Sequence, residues 1–253
     1  MRADSDAPRL RPLAVRLRGL PAPDALECAA PEGHVSLVID DGTDLAASLV
    51  RELLGSGRPV AVMGFRHTLC SGDPDRFPSG VVVETAESLL EDDVANALGA
   101  IRSRFRGIDA CIVVAAHDPH SSLDRELDLT SREALRSAFT VAKALHTALS
   151  ESAQTGRASF ITVTAMDGEL GLTGRSGKAV MGGLLGLTKT LRLEWPGVFC
   201  RSVDLDPGID ANRGAELVMA ELSDPNRLIS EVGYGPRGRV TLITEPVLGG
   251  TRW

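Results

Sequence analysis

The chain has 253 residues, 43% of them hydrophobic but only 4% aromatic, with a formal charge of −7 and a pI near 5.3. That acidic balance argues against nucleic acid as a main partner, and no apolar run approaches the roughly 20 residues that cross a bilayer. The N-terminal MRADSDAPRLRPLAVRLRGLPAP is charged and proline-punctuated and lacks the apolar core of a secretion signal, so a cytoplasmic protein without a membrane partner is expected.

With so few aromatics the core must be built from Ala, Val, Leu and Ile, which suits parallel strands covered by helices. Residues 1–33 read as a linker or an added edge strand around LAVRLRGL, and residues 34–253 as one domain. HVSLVID reads as a strand and TDLAASLVRELLGSG as an amphipathic helix ended by glycine. PVAVMGF is the next strand, followed by a loop over 66–79 rich in Gly, Pro and Asp. GVVVET is a strand, 87–105 a helix, and DACIVVAA an unbroken apolar run, as a strand buried on both faces requires. Residues 131–150 form a helix with SREA as a candidate capping box. ASFITVTA, the helix KAVMGGLLGLTKTLRLEW, the strand VFCRSVDL and a helix over 211–222 follow, then strand-like pieces around LISEVGYG and GRVTLI. Six strands alternating with helices predict an α/β fold, a doubly wound Rossmann-like parallel sheet in a single domain.

Such folds place ligands at the carboxyl ends of the strands, so the segments after Ile39, Phe65, Ala115 and Thr164 are the ones to inspect. The four cysteines, Cys28, Cys70, Cys111 and Cys200, lie far apart with no metal-type spacing and read as buried free thiols. His117 and His120 have no third ligand at a useful spacing and read as loop histidines; no metal site is expected.

SFITVTAMDGELGLTG, GGLLGLTKTLRLEWPGVFCRSVDLD and EVGYGPRGRVTL resemble the ketoreductase regions of bacterial iterative polyketide and polyunsaturated fatty acid synthases, within the short-chain dehydrogenase/reductase superfamily. The resemblance covers roughly residues 35–243. It implies one of two Rossmann-like halves: a structural half that has lost cofactor and catalytic groups, or a catalytic half with a glycine loop, Ser, Tyr, Lys and Asn. In a competent reductase the Tyr delivers a proton to the carbonyl oxygen while a Ser polarises it.

Thr164 stands at about the Ser position that the resemblance implies. The Tyr would fall near Ser176 or Gly177 and the Lys near Val180 or Met181, and none of these has the required group. The single tyrosine, Tyr234, lies some 70 residues beyond Thr164. Lys178 and Lys189 read as solvated helix charges, and Lys143 sits where polyketide ketoreductases often carry an important Lys. At the glycine loop, DDGTDLA places Asp or Thr at the earlier glycines and Ala46 at the last, and carboxylates beside a pyrophosphate repel it. Asp41 or Thr43 is instead expected to cap the helix. Asp204 and Asp206 read as two exposed carboxylates near a strand end, and Glu194-Trp195-Pro196 as a helix stop by packing and proline.

The expectation is therefore a non-catalytic structural subdomain, with no catalytic residues and no cofactor, bracing a catalytic ketoreductase subdomain or other synthase modules. The rival is a divergent NADPH-dependent β-ketoacyl reductase using Thr164, with Lys143 or water as proton source. Its cofactor would be held by Asp41, Gly42, Arg66 (at the 2′-phosphate) and Ala115. A homodimer whose pocket takes another small molecule is the third reading.

Overall fold

A computed structural model of the chain describes residues 13–25, 31–66, 76–116, 124–174 and 179–246, with the side chains of 124–130 and 179 left undescribed. Among the described residues nine strands form one sheet: β1 (Leu13–Gly19), β2 (His34–Ile39), β3 (Val60–Phe65), β4 (Val82–Ala86), β5 (Gly107–Ala115), β6 (Ser159–Thr164), β7 (Phe199–Leu205), β8 (Glu231–Gly235) and β9 (Gly238–Pro246). The α-helices of the described residues are α1 (Asp44–Gly55), α2 (Glu91–Arg102), α3 (Asp124–Thr155), α4 (Gly182–Glu194) and α5 (Ala211–Ser223).

The strand order is β1-β9-β8-β7-β6-β5-β2-β3-β4. Strands β2 to β8 are parallel to one another, while β9 pairs antiparallel with both β8 and β1. The predicted doubly wound sheet is present, extended by an antiparallel edge to which the N-terminal LAVRLRG segment contributes the last strand. The order reverses between β2 and β5, and there a crevice opens at the strand ends.

Alternate side chains of the buried strands feed two cores. On one face Leu37, Ile39, Cys111 and Val113 pack under α2, α3 and α4; on the other Val38, Ile112, Val114 and Val203 pack under α1 and α5. Both faces of the sheet are thus covered, which explains the unbroken apolar runs. Cys111 and Cys200 are buried free thiols, and burial raises both, Cys200 to about 12, which keeps them unreactive. Cys28 and Cys70 lie outside the described residues.

Three helices differ from expectation. The one read over 87–105 is α2, confined to Glu91–Arg102. The SREA segment is not a helix start: α3 begins at Asp124, seven residues earlier, and Ser131 lies inside it. Acidic residues at 124, 126 and 128 favour the N-terminal turns through the helix dipole, without any apolar period to reveal them. The helix read over 178–195 is split, with a 3-10 turn over Ala179–Met181 before α4; consecutive glycines at 182 and 183 weaken a helix there. At its other end α4 stops as the sequence suggests. Trp195 caps it, buried, stacked on His146 at 5.4 Å and edge-on to Phe160 at 5.8 Å.

Candidate functional site

The β2–α1 turn is built around two carboxylates. Asp40 is buried and accepts the Gly42 amide at 2.9 Å and both contacts of the Arg76 guanidinium, which also donates to the Thr43 carbonyl. Burial raises the Asp40 pKa, with the Gly42 amide and Arg76 opposing that rise and Asp41 adding to it. Gly42 supplies the positive φ, +82°, that turns the chain toward α1.

Asp41 reaches across the switch point. One oxygen accepts the Thr43 amide and hydroxyl, and the other accepts the Ala116 amide at 2.6 Å, directly beyond β5. The expected helix cap is therefore not formed. Thr43 is the N-cap of α1 but its side chain makes no capping bond; the hydroxyl turns back to Asp41, because Asp41 is already fixed by the neighbouring strand.

Beside this bridge lies a crevice of about 440 Å³ at the carboxyl ends of β2, β5, β6 and β7, lined by Thr43, Asp44, Ala116, Ala165, Asp206 and Asp210 among others. Three carboxylates face it. Asp210 also caps α5 through the Asn212 and Arg213 amides, and Asp206 accepts the Gly208 amide at 2.8 Å.

Thr164 ends β6, in register with Ala115 on one side and Asp204 on the other. It is 0% exposed, and its hydroxyl donates to Asp204 at 2.9 Å. Asp204 also accepts the Met166 and Leu170 amides. The reading of Asp204 as an exposed carboxylate is thereby corrected: it is fully buried and organises the loop after β6. Burial lifts its pKa to about 6 despite the donors from Met166, Thr164 and Leu170. Its role was hidden because a strand-end Asp has the same sequence signature whether it faces water or three donors. Its apolar neighbours Val203 and Leu205, in a strand buried throughout, were the available signal.

Asp167 completes the loop by accepting the Glu169, Gly171 and Thr173 amides and the Thr173 hydroxyl. Burial opposes its ionisation, but these bonds, Thr173 first, hold its pKa below the usual range. Gly168 then lies against the Tyr234 backbone, where an added Cβ would sit 2.2 Å from the carbonyl oxygen.

The remaining sequence candidates lie apart. Arg66 follows β3 and pairs with Glu87 at 2.8 Å, both exposed. Lys143 is held by Glu91 of α2 at 2.7 and 2.9 Å, and Lys189 pairs with Glu231. Thus Asp41, Gly42 and Ala115 are brought to the switch point with Thr164 one strand further, while Arg66 and Lys143 are engaged elsewhere. His117, His120, Ser176, Gly177 and Lys178 lie outside the described residues; among the described residues no cluster of His, Cys, Asp and Glu could hold a metal ion, and no helix is long and apolar enough to cross a membrane.

One polar cluster had no sequence signal at all. Arg201 of β7 and Arg239 of β9 share Glu221 and Asp224 at the end of α5, all buried, and Tyr234 donates its hydroxyl to Glu221. Burial, then the Glu221 charge, drives the tyrosine pKa up. The single phenol of the chain is thus part of a buried ionic network.

No family model matches the chain. Over 222 residues, 84% of its length, it is 29% identical to part of a polyunsaturated fatty acid synthase polypeptide from Thraustochytrium sp. (strain ATCC 26185 / S-3), and it spans only 7% of that protein. Among solved structures it resembles a metagenomic short-chain oxidoreductase in complex with NADP (TM-score 0.60, 18% identity, 82% of this chain and 99% of that one). It also resembles a 3-ketoacyl-(acyl-carrier-protein) reductase from Brucella melitensis complexed with NADH (TM-score 0.54, 19% identity, 69% and 75%). An alcohol dehydrogenase from Thermococcus sibiricus complexed with 5-hydroxy-NADP is a further neighbour (TM-score 0.53, 17% identity, 76% and 92%). The chain has the Rossmann-like fold of the short-chain oxidoreductases, and most of its length is similar to a small segment of a synthase polypeptide.

Proposed function

We propose that this chain is a non-catalytic, ketoreductase-like structural subdomain of a synthase that makes polyketides or polyunsaturated fatty acids, bracing a catalytic reductase unit. The observation that carries this reading is the use of the two would-be functional positions as structural ties. Asp41 binds the Ala116 amide across the switch point, and Thr164 spends its hydroxyl on Asp204. The chain's one tyrosine, Tyr234, lies far from the place where a reductase needs a proton donor and is committed to Glu221. The similarity to a segment of a polyunsaturated fatty acid synthase supports the setting.

The residues at the crevice do not suit a dinucleotide. A pyrophosphate beside the first turn of α1 would meet Asp44, Asp206 and Asp210, and like charges at close range in a partly buried site cost on the order of several kcal/mol. The cation nearest that turn, Arg76, is already spent on Asp40.

A second reading, a divergent NADPH-dependent β-ketoacyl reductase, draws on the open crevice of about 440 Å³ at the strand ends. Calorimetric titration of the purified chain with NADPH separates the two, together with an assay on NADPH and a β-ketoacyl thioester. The structural reading expects neither micromolar binding nor turnover; clear turnover overturns it.

A further inference from the structure

Among the described residues Leu170 is the one residue other than glycine with a positive φ, +61°. A leucine rarely adopts this left-handed backbone, and a bulky side chain there marks strain. Leu170 stands in the loop over 165–174, which follows β6 at the carboxyl end of the sheet, and Ala165 at the root of that loop lines the crevice. Its side chain is buried with that of Met166 in the core formed with Met181, Leu184 and Leu185. Packing and one acceptor for its amide therefore hold the strained conformation.

That acceptor is Asp204. One of its oxygens takes the Thr164 hydroxyl and the Met166 amide, and the other takes the Leu170 amide at 2.9 Å. A second carboxylate, Asp167, lies in the loop itself and is buried as well. The two are not equivalent. Asp167 accepts three amides and a hydroxyl, and an amide can only donate, so its negative charge is held in place. Asp204 accepts two amides and one hydroxyl, and a hydroxyl can turn round. Once protonated, Asp204 donates to the Thr164 oxygen and still accepts both amides. Asp204 is thus the member of the pair that carries a proton without giving up either loop amide, and ionising it puts a second buried negative charge beside the first.

The other charged groups around Asp204, among the described residues, are engaged. Glu169 of the loop meets Arg237 of the β8–β9 turn at 3.3 Å, Glu231 of β8 meets Lys189 of α4, and Tyr234 of β8 gives its hydroxyl to Glu221. Asp206, just past the end of β7, accepts the Gly208 amide. The charge that acts on Asp204 is that of Asp167.

We propose that the loop over 165–174 is a pH-sensitive latch beside the crevice: a proton on Asp204 holds it shut over the strained Leu170, and loss of that proton favours an open loop in which Leu170 relaxes and both carboxylates reach water. Opening bares Met166 and Leu170 at the edge of the crevice, so the latch sets how much apolar surface this end of the sheet presents. It operates whether or not the chain is catalytic. In the closed loop, burial keeps the proton on Asp204 up to about pH 6, against 3.8 for an ordinary carboxyl. Closure is therefore strongest below pH 4 and weakens as pH rises through 6.

Amide hydrogen exchange resolved residue by residue by NMR tests this on the purified chain, each rate being divided by the intrinsic rate at the same pH. The opening constant of the Met166 and Leu170 amides is expected to rise about tenfold from pH 5 to pH 7. Ile112 in the middle of β5 is expected to stay far better protected at both, which marks the opening as local. Equal opening at the two pH values overturns the proposal, and so does one common rate for the loop and strand amides. In Asp204→Asn the dependence on pH is expected to vanish; a rise of the same size in that variant overturns the proposal. Should the variant not fold, the carboxyl carbon signal of Asp204 in the native chain decides. A midpoint near 6, shared with the opening of the Leu170 amide, supports the latch, and a midpoint near 4 overturns it.

Discussion

The Asp41 carboxylate accepts the Ala116 amide at 2.6 Å, joining the end of β2 to the end of β5 across 75 residues of sequence. The bond spans the point where the strand order reverses, which is where this fold otherwise receives a ligand. Removing the carboxylate leaves the Ala116 and Thr43 amides without this acceptor. Asp41→Ala is expected to cost about 2–3 kcal/mol, read as a fall of about 5–10 °C in Tm. Asp41→Gly is expected to gain no micromolar NADPH binding, since Asp44, Asp206 and Asp210 still line the crevice; calorimetry checks this.

Asp204 ties stability to pH. Its pKa rises from 3.8 to about 6 in the folded chain, so the folded state holds its proton more tightly than the unfolded state. The resulting stabilisation is full below pH 4 and is lost as pH rises through 6. Asp204→Asn has no such titration. The unfolding free energy of the variant relative to the native protein should therefore increase by about 2 kcal/mol between pH 4 and pH 7, measured by urea denaturation at each pH.

The ionic network at the end of α5 predicts a steep loss on breaking either sign. Glu221→Gln strips a charge from two buried guanidinium groups, Arg201 and Arg239, and should cost about 3–5 kcal/mol in chemical denaturation. Tyr234→Phe removes one hydrogen bond to the same carboxylate and should cost less, about 1–2 kcal/mol. The reverse order of the two losses would show that the carboxylate is not the hub.

Gly168 and Gly174 share a positive φ, +68° and +67°, but only Gly168 is crowded. An alanine at 174 meets nothing within 4 Å and should cost about 1–2 kcal/mol, the left-handed backbone penalty alone. At 168 the new Cβ would collide with the Tyr234 carbonyl, and a loss of about 3–5 kcal/mol is expected. Equal losses at the two sites in denaturant melts would mean that the loop does not pack on β8 as described.

Much of the fold was legible because its strands are buried on both faces. A run such as DACIVVAA carries no alternation to confuse, and glycine and proline mark the ends of several strands. The beginning of α3 was illegible because its first turns are charged, and a Ser followed by Glu looks like a start wherever it falls. At the site, the acidic turn at Asp40 and Asp41 could be seen, but its use could not: the same residues could cap a helix or reach another strand. Asp204 was misjudged for the same reason, since only a neighbouring Thr164 and two amides distinguish a buried organiser from a solvated end.

The amino-acid order alone settles what is local. It set the order of strands and helices, the acidic composition of the β2–α1 turn, and the presence of a single tyrosine far from the place where a reductase needs one. Only the tertiary structure decided which groups the carboxylates meet: Asp41 with Ala116, Asp204 with Thr164, and Glu221 with Arg201, Arg239 and Tyr234. It likewise decided that β1 lies against β9. Backbone preference and hydrophobic period act over a few residues, whereas these partners lie 13 to 75 positions apart or more and meet only when the crossovers fix the strand order.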